Sequence, residues 1–95
     1  MVSKMELKEA FAEALRNMRL RKGLTQEDFG LVSSRTYISS LERGMKGVTL
    51  EKVTQLADRM EVHPLSLLVE CFRVQSGDTL EELFETIRGQ LTEAI

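Results

Sequence analysis

The chain has one cysteine, Cys71, one proline, Pro64, and one histidine, His63, in 95 residues. A single cysteine cannot close an internal disulfide, so the fold has to stand on packing. Cys71 lies among Leu67, Leu68, Val69 and Phe72, a setting for a small buried thiol; a redox sensor needs electropositive neighbours. One histidine and one cysteine do not make a metal site, and none is expected. His63, directly before Pro64, reads as a cap or surface residue. Glycine is also scarce, and long stretches are rich in Leu, Glu, Lys, Arg, Met and Ala, which predicts an all-α fold. No apolar run approaches the length that crosses a bilayer. The opening residues MVSKMELKEAFAEAL mix charge into their apolar pattern and lack a signal-peptide core. The expected location is therefore cytoplasmic, with no membrane partner. No nucleophile, base and shaped pocket come together, and Glu81, Glu82 and Glu85 fall on the polar side of one helix. We expect no enzymatic activity, no cofactor and no small-molecule ligand.

Hydrophobic residues make up 42% of the chain, too many for disorder. Ninety-five residues suit one domain with a thin core, for which oligomerisation is a source of added stability. The net charge of −2 hides an asymmetry. Residues 1–52 carry ten Lys/Arg and seven Asp/Glu; residues 53–95 carry three and eight. A basic front and an acidic back favour an anion-binding face in the front half.

Hydrophobic spacing predicts six helices. The first runs from about Met5 to Lys22 on the stripe Leu7, Phe11, Ala14, Leu15 and Met18, with cations in its last turn and Gly23 as its stop. The second, about Gln26 to Leu31, starts at Thr25 with Asp28 completing a capping box. The third, about Arg35 to Arg43, is capped by Ser34, anchored by Ile38 and Leu41 and stopped by Gly44. The fourth, about Leu50 to Met60, has Thr49 as cap and Leu50, Val53, Leu56, Ala57 and Met60 inward. Pro64 opens the fifth, which carries Leu65, Leu67, Leu68, Phe72 and Val74. Ser76-Gly77-Asp78 breaks the chain, and the box Thr79-x-x-Glu82 opens the sixth.

The order Gly23-Leu24-Thr25-Gln26-Glu27, Tyr37-Ile38-Ser39, Leu41-Glu42-Arg43-Gly44, with His63-Pro64-Leu65-Ser66-Leu67-Leu68 further on, resembles the lambda-repressor-like, XRE-type helix-turn-helix family of Cro proteins and bacterial regulators. The resemblance spans about Phe11 to Val69. It implies a five-helix DNA-binding domain over residues 1–75, with the helix-turn-helix at about 25–44. Residues 76–95 are then an additional C-terminal amphipathic helix, read as the dimerisation element. There is one departure. Family members usually carry two more residues between the Gln of helix two and the Ile of helix three. The interval over residues 29–34 therefore demands a shorter second helix or a tighter turn.

With Ile38 and Leu41 inward, Arg35, Thr36, Ser39 and Ser40 lie toward the opposite face or its edges, where a recognition helix meets base edges in the major groove. Arg35 suits a bidentate contact to guanine, and the Thr36 methyl suits thymine. Gln26, Tyr37, Arg43 and Lys46 are the phosphate candidates, with Arg21 and Lys22 behind them. The resemblance further implies a structural ion pair between Arg19 and Glu42. It also implies a homodimer on a palindromic site, with half-sites about 34 Å apart. Leu80, Leu83, Phe84, Ile87 and Leu91 would form the interface, although folding back on the same subunit is the alternative. The expected function is a DNA-binding transcriptional regulator, a repressor or autoregulator acting on double-stranded DNA. The rival is an antitoxin or adaptor that uses the last helix to bind a protein partner.

Overall fold

The computed structural model describes residues 5–92. It contains five α-helices and one 3-10 turn, with no strand among the described residues: α1 (Leu7–Arg21), the 3-10 turn (Gln26–Phe29), α2 (Arg35–Glu42), α3 (Leu50–Arg59), α4 (Pro64–Ser76) and α5 (Leu80–Thr92). The helix expected from Gln26 to Leu31 is thus a single tight turn. Its capping box forms between Thr25 and Asp28, Phe29 is fully buried, and the chain passes at once into the bend over residues 30–33. The short interval to Ile38 leaves no room for a second α-helical turn.

Local signals set the other ends. Glu6 and Glu9 form the capping box of α1. Ser34 Oγ accepts from Tyr37 N at 3.1 Å, and Thr49 Oγ1 from Lys52 N at 3.0 Å. His63 Nδ1 accepts from Leu65 N at 3.0 Å, capping α4 just before Pro64 opens it. Thr79 and Glu82 cap α5 reciprocally, at 2.8 and 3.1 Å. Gly44 ends the α2 segment at φ 70°, a left-handed conformation that glycine adopts without strain.

The core joins α1, the 3-10 turn, α2, α3 and α4 through Phe11, Leu15, Phe29, Ile38, Leu41, Leu56, Met60 and Leu67. Four residues expected on the apolar stripes do not face inward, Leu7 of α1 among them. Leu50 is 74% exposed, and Leu65 and Phe72 are 60% and 45% exposed. Leu7, Leu50 and Phe72 border an open cavity between α1, α3 and α4, and Leu65 lies on α4 beside α5. No residue of α5 is buried. Among the described residues, no helix is long and apolar enough to cross a membrane.

Charge ties the end of α1 to the middle of α4. Glu70 is buried on α4 and accepts from Arg73 Nε and Nη2 at 3.1 and 3.0 Å, with Arg21 Nη2 of α1 at 3.4 Å. The Arg73 hydrogen bonds hold the Glu70 carboxyl below its ordinary value of 4.5. A depressed folded value adds stability above the unfolded pKa, and that stability is lost as pH falls through the folded one. Glu70→Gln should lower the urea midpoint at neutral pH, and the gap from wild type should close as the pH falls below 4.5 through the depressed value. A gap independent of pH would show that the charge of Glu70 is not what Arg73 holds.

Candidate nucleic-acid interface

Eight residues make α2 too short to hold itself helical in water. It is held from behind by Ile38 and Leu41, both fully buried. That packing turns Thr36 and Arg43 outward, with Ser39 beside them and Arg35 at the exposed N-terminus. These four line a shallow polar hollow together with Gln26 at the head of the 3-10 turn. Arg35 occupies the first position of α2, where a cation opposes the helix dipole and no acidic residue offsets it. A charge kept in that place suits an external anion.

Ser40 does not belong to this face. Its place on the helix predicts a base contact, but it is 7% exposed. The chain reverses at Gly44, where Met45 N donates to the Ser40 carbonyl at 3.0 Å. Tyr37 is half-buried against the core. Lys46 Nζ and Lys52 Nζ stand 5.5 and 5.7 Å from the centre of its ring. Lys46 and Arg43 are exposed, and Arg43 Nε reaches only the Ser39 carbonyl, at 3.4 Å. Arg21 instead reaches Glu70.

One ion pair sets the rotation of α2. Arg19 Nε and Nη2 donate to Glu42 Oε2 and Oε1 at 2.6 and 2.9 Å. The side chains are 11% and 4% exposed. Arg19 Nη1 also donates to the Leu24 carbonyl at 2.8 Å, and Gln26 Nε2 donates to Glu42 Oε1 at 3.1 Å. The Glu42 hydrogen bonds raise the Arg19 pKa above its already high value, so this cation does not titrate. Gln26 is therefore held by its amide nitrogen, leaving its carbonyl oxygen and second amide hydrogen for the hollow.

Two positioning residues are not evident from the sequence pattern. Lys52 Nζ donates to the Val32 carbonyl at 3.0 Å, and Arg59 Nε donates to the Asp28 carbonyl at 2.7 Å. Both come from α3 and pin the compressed turn. For Lys52 a signal exists: a lysine in the first turn of a helix works against the dipole.

A short helix presenting cations and hydroxyls, braced behind a tight turn, defines a helix-turn-helix DNA-binding module. Residues 15–67 match the helix-turn-helix family, and the chain belongs to it. Members of this XRE-type family are DNA-binding transcriptional regulators. Among solved structures, the clp gene regulator ClgR from Corynebacterium glutamicum matches at 28% identity and a TM-score of 0.71, over 79% of this chain and 99% of that one. A second ClgR structure covers 97% of this chain and 100% of its own, with a TM-score of 0.74; at 24% identity that likeness is one of fold. The restriction-modification controller protein C.Esp1396I matches at 26% identity and 0.65, over 75% and 94%. No curated protein sequence matches the chain.

Breaking the buried pair from either side strands a charge. Arg19→Ala or Glu42→Ala should each cost roughly 3–5 kcal/mol in urea unfolding. The double substitution Arg19→Met/Glu42→Leu, apolar on both sides, should cost less than either. Single changes within about 0.5 kcal/mol of wild type, the ordinary scatter of surface substitutions, would show that the pair contributes nothing to holding α2.

Proposed function

We propose that the chain is a repressor or autoregulator that binds palindromic operators as a homodimer through the major groove. The observation that carries this reading is the exposed face of α2, where Arg35 and Arg43 flank Thr36 and Ser39. Arg35 reads guanine O6 and N7, and Thr36 and Ser39 read neighbouring edges. Gln26, Arg43, Lys46 and Tyr37 take phosphates and fix the register. The likeness to ClgR, a clp gene regulator, and to C.Esp1396I, a restriction-modification controller protein, supports a role in gene control.

The dimer is proposed from α5. Leu83 and Ile87 are half-buried, and Leu80, Phe84 and Leu91 are 41%, 44% and 80% exposed. With Leu65 and Phe72 of α4 they form a continuous apolar flank that a second copy would cover. Residues 1–75 then bind DNA and 76–95 dimerise, with Glu81, Glu82 and Glu85 kept away from phosphates. The same bare flank is what would favour an antitoxin or adaptor role, in which another protein covers it.

On a duplex chosen by in vitro selection, Arg35→Ala should cost about 1–3 kcal/mol and relax preference at one base pair, as read by fluorescence anisotropy. Arg43→Ala should weaken all duplexes alike and reduce the salt slope by about 1. Equal loss of selectivity from both would reverse the assigned roles. Sedimentation equilibrium should give a dimer that Leu83→Glu with Ile87→Glu converts to a folded monomer; a monomeric wild type would leave the flank to another protein.

A further inference from the structure

We propose that a cavity between α1, α3 and α4 binds a small amphiphilic carboxylate, an apolar chain with one negative charge, and that its occupation weakens DNA binding. The cavity measures about 290 Å³. Its floor is Phe11, Val53 and Cys71, all buried, and Leu7 and Phe72 flank its mouth at 49% and 45% exposure. It lies apart from the α2 face, and shares Leu68 and Phe72 with the α4–α5 flank described above.

Two features fix the ligand class. The floor offers no polar partner, so whatever fills it is apolar there. Among the described residues, the only charged side chains that line the cavity are Lys8 and Lys46, both exposed. No carboxylate lines it, and neither lysine is in an ion pair among the described residues. A tail on Phe11 and Val53 with a carboxylate between the two ammonium groups satisfies both ends. The volume lies near the lower end of ligand pockets, about 300 Å³, which selects a short chain.

Occupation would act through Lys46. Its ammonium stands over the Tyr37 ring, on the segment that leaves α2 at Gly44. A carboxylate at the mouth draws that ammonium away from Tyr37 and from any phosphate beside it. This regulatory half rests on the DNA-binding reading; the ligand site itself does not.

Octanoate and decanoate titrated into the full chain, followed by amide NMR, test the site. Saturable shifts at Val48, Val53 and Cys71 are expected, with binding weakened about tenfold in Lys8→Gln/Lys46→Gln. Both lysines are exposed, so an unchanged melting temperature checks that the variant folds. Decanol binding as tightly as decanoate, or shifts confined to Leu83 and Ile87, would overturn the site. The same amides shifting with protein concentration alone would give the cavity to a second copy and overturn it too. Wild-type affinity for a selected duplex should fall several-fold at saturating decanoate; an unchanged affinity would overturn the regulatory half. Failure to bind any duplex without ligand would overturn only the DNA-binding reading.

Discussion

The buried pair between Arg19 and Glu42 is the contact on which the rest of the DNA-facing side depends. Apolar packing holds α2 against the core through Ile38 and Leu41, but packing alone tolerates rotation about the helix axis. A two-pronged guanidinium–carboxylate contact does not, because both hydrogen bonds hold only at one rotation. Taking two charges out of water is expensive, and the geometry has to compensate. It does so by using more donors and acceptors: Leu24 and Gln26 are drawn into the same cluster. One interaction thereby places α1, the end of its loop, the head of the tight turn and the recognition helix.

Elsewhere the molecule breaks local rules, and it does so where function is argued. Arg35 and Lys52 both sit in the first turn of a helix, against the dipole. Lys52 recovers its place by capturing the Val32 carbonyl and standing over Tyr37. Arg35 has no such partner among the described residues. The compressed turn is a second departure. A 3-10 turn replaces a helix, Leu31 is left fully exposed, and α3 supplies two cations to hold the backbone in that shape.

Much of this is legible in the residues. The caps at Thr25, Ser34, Thr49 and Thr79 and the stop at Gly44 are chemical signals read from one side chain and its near neighbours. The Ile38–Leu41 anchor follows from spacing. Where pattern and structure part, tertiary context decides. Ser40 lies on the correct helix but is buried with the core side of α2, beside Leu41. Leu50, Leu65 and Phe72 fit the helical period but border open hollows, because the chain is too small to cover every stripe. Lys52 and Arg59 act on carbonyls 20 and 31 residues away; the place of Lys52 against the dipole hints at a partner, but no local pattern says which.

Charge divides the molecule as it divides the sequence. Arg35, Arg43, Lys46 and Lys52 gather around α2 and Tyr37, while the acids of α5 stand on the helix that carries the apolar flank. The most direct measurement is the structure of the protein bound to its selected duplex. The account predicts α2 in the major groove, the Arg35 guanidinium within hydrogen-bond reach of guanine, about 3 Å, and the Arg19–Glu42 pair intact behind it. A complex in which Arg35, Thr36 and Ser39 face away from the bases, with DNA held by another surface, would contradict it.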